Sequence, residues 1–455
     1  MARVEKTRYL IIGNSAGGVG AAEAIREVDK IGAITMVSDE SYPVYSRPLI
    51  SEYLAELCPL ERMLFRPVDF YESNGIQALL GKEAKRLDTA NHTIQLNNGK
   101  TIIWEKLLLA TGGLPIVPEI DGFNNEGVFT FTKLNDAKAM ARFLDGRYRA
   151  VVLGGGLIGV SVTEALVRLG VKVTVVEMKE QILSTILDEK ASELVTEALE
   201  KHGVTVITGH TITRINGHTV GENLVGGVTL DDGRRLPCAL VIIAIGVRPR
   251  TELASNAGIE IRRGIVVDCF MRTSACDVYA CGDAVEAYDF IRDENRLTPI
   301  WPNAYLQGRV AGLNMAGIPT EYKGGTSMNS LKYFGLSITS AGMVSPPDET
   351  YEVLTMRNSH NYRKVVVKDG VVAGMVFSGD IEKSGIILSL MKDKVNVEDF
   401  KDTLVADDFG LISLPEEIWR PMLENPPTTI ASSIASAEQP EKVVVRDLRF
   451  IFGRQ

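Results

Sequence analysis

The sequence predicts an α/β chain: two Rossmann-like modules built on one plan, followed by a smaller α+β domain. Three observations carry that expectation. First, "LGGGLIG" at 153–159 follows an apolar strand-length run and opens a helical stretch, with Gly154, Gly156 and Gly159 in Gly-x-Gly-x-x-Gly spacing. Second, a looser version, "IIGNSAGG", stands roughly 140 residues earlier, with Gly13 and Gly18 in matching places and Ser15 in the middle. Third, each turn is followed by an Asn-Gly or Asp-Gly hairpin and then a buried strand ending in glycine.

Composition bounds the rest. The chain has 455 residues, 45% hydrophobic and 24% charged, enough for several cores. Its net charge of -9 and pI of about 5.3 disfavour nucleic acid or an anionic membrane as the main partner. No stretch reaches the roughly 20 apolar residues that cross a bilayer, and the N-terminus lacks the apolar core of a signal peptide. Five cysteines, an odd number, suit a reducing cytosol better than a disulfide scaffold. Cys269, Cys276 and Cys281 lie close together but without common metal-ligand spacing, so all three read as buried thiols and no metal is expected.

The elements follow in order. "YLIIG" is a strand, "GAAEAIREVD" a helix and "AITMVSD" a second strand, closed by Asp39 and Glu40. Acids at that distance from the glycines accept hydrogen bonds from a ribose. "NHTIQLNNGKTIIWEKLLLATGG" reads as a hairpin turning at Asn98-Gly99, then a buried strand ending at Ala110, Thr111 and Gly112. The plan restarts at "RAVVLGGGLIGVSVTEALVRLGVKVTVVEM", with Glu177 as the closing acid. "GVTLDDGRRLPCALVIIAIG" repeats the hairpin at Asp232-Gly233 and ends at Gly246. "TPIWPNAYLQGRVAGLNMAG" is a Gly- and Ala-rich helix that must pack closely on something. Residues 322–424 alternate as antiparallel strands turning at Asp369-Gly370, then give two short helices. A polar linker at 425–440 precedes a tail strand, "KVVVRDLRFIF", expected to pack on its own chain, with adding a strand to a dimer mate or docking an acidic electron carrier as the alternatives.

A glycine turn at a helix start lets backbone N–H groups approach a pyrophosphate, and the helix dipole adds partial positive charge. Two such turns imply two dinucleotides facing each other, one held and one exchanged. Six motifs in sequence, "IIGNSAGG", "DESYPVYSRPLIS", "LLLATGG", "VLGGGLIG", "AIGVRP" and "VYACGDA", resemble the FAD-dependent pyridine-nucleotide oxidoreductases over residues 7 to 424. Within that family the chain is similar to the branch of rubredoxin and ferredoxin reductases, NADH oxidases and the FAD/NAD region of nitrite reductase.

The resemblance implies FAD as prosthetic group and NADH as exchanged substrate. It implies an FAD-binding domain at 1–117 and 248–320, an NAD-binding domain at 118–247, a flavin-covering and dimerising domain at 321–424, and a linker and tail at 425–455. Gly13, Ser15 and Gly18 would hold the FAD pyrophosphate, and Asp39 or Glu40 the adenosine ribose. Arg47 would contact FAD, a surface cation being the alternative. Ala110, Thr111 and Gly112 would line the adenine side. Asp283, next to Gly282, would meet the ribityl or pyrophosphate oxygens, a helix N-cap being the compatible alternative. Trp301 would flank the flavin ring, with a core tryptophan as the alternative. Gly154, Gly156 and Gly159 would take the NAD pyrophosphate and Glu177 its ribose, which favours NADH over NADPH. Gly246 and position 85, a lysine beside Ala84 in "GKEAKR", complete the cofactor-binding set. No catalytic side chain is assigned, because the flavin carries the chemistry.

Three residues depart from the family pattern: Ser15 for the middle glycine, Glu52 where relatives carry Lys, and Ser161 where they carry Glu. The sequence has no cysteine before Cys58, so the thiol relays of related branches are missing. The expected acceptor is therefore a small iron-sulfur or rubredoxin-like protein, reached from a cytoplasmic homodimer. A thiol-independent, peroxide-forming NADH oxidase and a redox-responsive flavoprotein of the apoptosis-inducing-factor type are the alternatives.

Overall fold

The computed structural model describes residues 4–424 except 145, 147, 219 and 220. Two compact units result, Met1–Ser327 and Met328–Gln455. The linker and tail strand expected at 425–455 lie outside the described residues.

The first unit opens with β1 (Val4–Ile12), α1 (Ala16–Val28) and β2 (Ile34–Ser38). A 3-10 turn at Arg47–Leu49 leads into α2 (Ile50–Leu54), the one-turn helices α3 (Leu60–Met63) and α4 (Phe70–Ser73), and β3 (Ile76–Leu80). The strands β4 (Ala84–Asp88), β5 (Thr93–Leu96) and β6 (Thr101–Leu109) follow. They form one sheet in the order β3-β2-β1-β6-β5-β4, to which the later strand Val278–Ala280 adds beside β6. β1 pairs in parallel with both β2 and β6, matching Ile12 to Val37 and to Leu109. Strands so enclosed are buried on both faces, which is why all of β2, Tyr9–Ile12 of β1 and Leu107–Leu109 of β6 are buried and mostly apolar.

After β7 (Gly113–Pro115) the plan repeats with β8 (Val128–Thr130), α5 (Leu134–Phe143), β9 (Arg149–Leu153), α6 (Leu157–Arg168), β10 (Lys172–Val176), α7 (Glu189–Lys201) and β11 (Thr205–Ile207). The strands β12 (Ile212–His218), β13 (Gly221–Leu230), β14 (Arg235–Leu236), β15 (Leu240–Ile243) and β16 (Val247–Pro249) complete it. The parallel order β11-β10-β9-β15 copies β3-β2-β1-β6. One difference separates the copies. In the first, the hairpin arm and the buried strand are one element, β6. In the second, Pro237 interrupts the run, because proline lacks the N–H a ladder needs. The hairpin strands then form a sheet of their own, β12-β13-β14, packed through Ile212, Ile215 and Val228 onto the module core. β16 returns antiparallel to β7, so the two links between modules are hydrogen-bonded to each other.

The chain continues through α8 (Glu252–Ser255), β17 (Ile265–Val266), β18 (Val278–Ala280), β19 (Val285–Asp289) and β20 (Glu294–Arg296) to α9 (Trp301–Met315). α9 is the expected close-packing helix, and α1 is its partner. A Cβ on Gly308 would run into the Gly17 carbonyl, and one on Gly312 into the Ala21 carbonyl. Arg309 clamps Glu27 with two hydrogen bonds of 3.0 and 2.7 Å, and the Tyr305 hydroxyl donates to Glu23 at 2.8 Å.

The second unit is a five-stranded antiparallel sheet made of β21 (Met328–Tyr333), β22 (Leu336–Gly342), β23 (Glu352–Arg357), β24 (Tyr362–Lys368) and β25 (Val371–Ser378), in the order β21-β22-β25-β24-β23. α10 (Ser384–Lys392) and α11 (Glu416–Glu424) follow. The turn at Asp369-Gly370 has φ of 49° and 74°, the two-residue geometry its sequence calls for. Arg363 is buried, paired with Asp380 at 3.2 Å and stacked near the Phe377 ring.

Replacing Gly308 with Ala forces α1 and α9 apart along backbone, which does not yield as a side chain would. Overpacking of this kind costs about 1–3 kcal/mol. The thermal midpoint of Gly308→Ala, followed by circular dichroism, is expected several degrees below that of the parent chain.

Candidate functional site

The carboxyl ends of β1, β6, β9 and β15 converge on one cavity of about 1120 Å³ in the first unit. Ligand crevices form at such ends, where the connections leave a sheet in opposite directions. Gly13, Ser15 and Ala110 line it from the first module, and Gly154, Gly156 and Gly246 from the second. Gly13 and Gly154 have φ of 125° and 108°, and a Cβ on either would strike the backbone of Ala110 or Ala244. The middle position differs in kind. Gly156 has open space around a would-be Cβ, and Ser15 sits extended at the N-cap of α1. Ser15 is thus accommodated without strain.

Gly18 and Gly159 are off the cavity wall. Their missing Cβ lets the helix lie against the Gly13 and Gly154 carbonyls. Both glycines therefore have a packing role in addition to the contact expected of them. Neither α1 nor α6 has a side-chain cap or an acid in its first turn, so both helix starts bring unsatisfied N–H groups to the cavity.

The two closing acids are held in different ways. Glu177 accepts from the N–H of Gly155 at 2.6 Å and of Lys179 at 2.9 Å, one bond on each oxygen. Asp39 instead takes Lys133 Nζ at 3.0 Å and Arg250 Nη1 at 2.9 Å, both on Oδ2. Burial opposes ionisation of Asp39, but the hydrogen bonds and charge of Lys133 and Arg250 outweigh it and hold the carboxyl below its usual range. Glu40 is not on the wall. It is buried, accepting from Tyr45 at 2.6 Å and pairing with Arg47. Of the two acids, only Asp39 is available to a ligand.

Arg47 lines the cavity and also donates to the Thr132 carbonyl at 3.1 Å, so it is a built-in group and not a free surface cation. Asp283 faces the same space. Burial pushes its carboxyl up, Arg47 pulls it down, and among the described residues no hydrogen bond reaches it. Cys281, not Asp283, is the N-cap of the short turn Gly282–Ala284, so the N-cap alternative for Asp283 fails. Trp301 lines the cavity too, half-buried and edge-on to Phe65 with centroids 5.1 Å apart, which sets aside the core-tryptophan alternative. Thr111 and Gly112 lie at the wall, the Thr111 hydroxyl donating to the Arg250 carbonyl at 2.6 Å. Position 85 is Lys85, which pairs with Glu83 at 2.6 Å; it and Ala84 both line the cavity.

Residues 7–308 match the family model for pyridine nucleotide-disulphide oxidoreductases. The chain belongs to that family. Residues 328–395 match the rubredoxin NAD+ reductase C-terminal domain. Subunit epsilon of the NADH-dependent phenylglyoxylate dehydrogenase of Aromatoleum evansii is 31% identical over 423 residues, 92% of this chain and 99% of that one. The NAD(P)H nitrite reductase of Bacillus subtilis is 29% identical over 401 residues, 87% of this chain but 48% of its own length, so this chain spans about half of that protein. The solved NADH:rubredoxin oxidoreductase of Clostridium acetobutylicum has a TM-score of 0.72 at 25% identity, covering 89% of this chain and 98% of that one.

As a family member, the chain is an FAD-dependent NAD(P)H oxidoreductase that uses FAD and NADH. The residues present fit both groups. Two uncapped helix starts, an unpaired Asp39 oxygen and an unpaired Asp283 carboxylate face one cavity with Trp301 on its wall.

Two expectations about cysteine need correction. Cys269 and Cys276 are exposed, not buried, because both lie in the connection between β17 and β18. Cys281 is buried, and it is the one cysteine among the described residues that lines the cavity. Burial, then the Asp283 charge, push its thiol far up, away from the thiolate a redox relay needs. Cys58 is buried off the wall, its thiol also pushed up by burial. Glu52 and Ser161 are off the wall as well, and Glu52 faces Glu164 and Arg168 electrostatically. Among the described residues no helix is long and apolar enough to cross a membrane.

Sequence reasoning missed Lys133 and Arg250. Arg250 directly follows the "AIGVRP" motif, but its partner Asp39 is 211 residues away, and no local signal links them.

The Asp39 interaction has a definite pH sign. Its folded pKa is depressed, so its stabilisation is present above the ordinary carboxylate pKa and is lost as pH falls through the folded value. On moving from pH 6 to pH 3, the thermal midpoint should therefore fall further for the parent chain than for Asp39→Asn. Parallel curves for the two proteins would contradict this.

Proposed function

We propose that the chain transfers electrons between NADH and a small iron-sulfur or rubredoxin-like protein through FAD, with no thiol in the path. The observation that carries this is the cavity itself. It joins the two glycine turns, and the one cysteine it contains is buried and held as a thiol. FAD bound there would accept a hydride from NADH and release electrons one at a time. The chain's own residues do the binding and orienting.

In this reading the N-terminus of α1, with Gly13 and Ser15, holds the FAD pyrophosphate, and Asp39 the adenosine ribose. Arg47, Asp283 and Trp301 surround the flavin half, and Ala110, Thr111, Gly112, Gly282 and the Ala84–Lys85 backbone complete the wall. The N-terminus of α6, with Gly154 and Gly156, takes NAD, with Glu177 on its ribose and Gly246 beside it. Residues 1–117 and 248–320 then form the FAD domain and 118–247 the NAD domain. Residues 321–424 form a separate domain that supports a cytoplasmic homodimer.

The end-to-end match to a dehydrogenase subunit supports a second form of the same reading. Here the electron partner is another subunit of a larger enzyme, and NAD+ is the acceptor.

Two measurements test the proposal. With the exposed Cys269 and Cys276 alkylated in the native holoprotein and Cys58 replaced by Ser, anaerobic NADH should still reduce a purified ferredoxin or rubredoxin at a rate within about threefold of the untreated protein, since only an accessible low-pKa thiol would be catalytic. Fast aerobic NADH turnover to peroxide, with no carrier reduction, would instead establish the oxidase alternative. Second, a carboxylate on the ribose repels a 2′-phosphate. kcat/KM for NADH should exceed that for NADPH, and Glu177→Gln should narrow the ratio by about tenfold, one unfavourable charge contact at the site.

A further inference from the structure

The acid at Asp39 is not positioned by its own module. Both of its cationic partners arrive with the second half of the unit. Lys133 stands at the N-cap of α5, where the Asp136 carboxylate accepts from its N–H at 3.0 Å and from Thr132 at 2.7 Å. Arg250 follows β16 on the returning link. Its N–H donates to the Gly112 carbonyl at 2.9 Å and its carbonyl accepts from Thr111 at 2.6 Å. Its guanidinium reaches Asp39 at 2.9 Å and Glu83 at 3.1 Å. Arg250 thus joins three separate stretches of the first module, all on one cavity wall.

The pattern on the carboxylate matters. Lys133 and Arg250 both bind Oδ2, and among the described residues Oδ1 has no hydrogen-bond partner. A short acid at a cavity mouth would otherwise sample several rotamers, and ordering it on binding carries an entropy cost. Two cations on one oxygen restrict that freedom and leave the other oxygen of this cavity-lining acid to a ligand. Glu177 needs no such help, since the backbone of its own module holds both of its oxygens.

We propose that Arg250, seconded by Lys133, is the positioning residue that presents Asp39 Oδ1 to the adenosine ribose of FAD. FAD affinity in the first module is thereby tied to the chain returning from the second. This inference rests on the reading that the first turn binds FAD.

The test is FAD titration of the flavin-depleted full chain, followed by flavin fluorescence, for Arg250→Ala, Arg250→Lys, Lys133→Ala, Asp39→Asn and the double variant Asp39→Asn/Arg250→Ala. The backbone bonds of Arg250 survive its substitution, so the link stays anchored. Loss of one charge-assisted hydrogen bond should raise the FAD Kd about tenfold in Arg250→Ala and in Lys133→Ala. Arg250→Lys should recover part of the loss. In the Asp39→Asn background, Arg250→Ala should add less than about twofold, because a residue acting through another is not additive with it. NADH binding at the second turn should stay within about twofold throughout. An unchanged FAD Kd in Arg250→Ala, or a full additional loss in the double variant, overturns the proposal while leaving FAD binding intact. A parent chain that takes up no FAD overturns the functional reading itself.

Discussion

Backbone touching backbone at the ends of two strands is the constraint on which this molecule depends. At Gly13 and again at Gly154, the chain passes so close to the end of the neighbouring strand that no side chain fits. At Gly18 and Gly159, the following helix is drawn against that same turn. These contacts aim α1 and α6 so that their first N–H groups open onto the shared cavity. A third close approach, α1 against α9, fixes the far side of the first helix and brings Trp301 and the Asp283 turn to the same space. The glycines therefore act mainly by removing Cβ atoms from helix–strand and helix–helix seams. The anion-binding character follows from where the seams leave the helix ends.

The same plan, used twice, has been finished with different electrostatics. The second copy holds its acid with backbone donors and, among the described residues, with no cationic side chain on it. The first copy holds its acid with two cations borrowed from elsewhere in the unit. In the proposed assignment, the first site would keep FAD and the second would exchange NADH. The first site is assembled only when the chain has crossed to the second module and returned, whereas the second is complete within its own stretch of sequence.

Much of the fold was legible because it rests on local rules. The Asn98-Gly99, Asp232-Gly233 and Asp369-Gly370 turns fall where positive φ is required, and the parallel strands read as short, mostly apolar runs. The internal repeat was visible as repeated motif order. Other features were illegible. The split of the second hairpin from β15 depended on one proline, read only as part of a run. Cys269 and Cys276 looked like core thiols but lie in exposed loops, since burial depends on what packs over a loop. Glu40 and Asp39 were equivalent in sequence, and only the side-chain path separates them.

The sequence by itself determined the two modules, their glycine turns, their closing acids and the lack of a cysteine near the usual place, because each is a matter of short-range spacing and residue type. Only the tertiary structure decided which acid faces the cavity, which cysteine lines it and which cations hold Asp39. Those depend on side chains meeting across as many as 211 residues of chain, and Coulombic pairing between them leaves no periodic trace along the sequence.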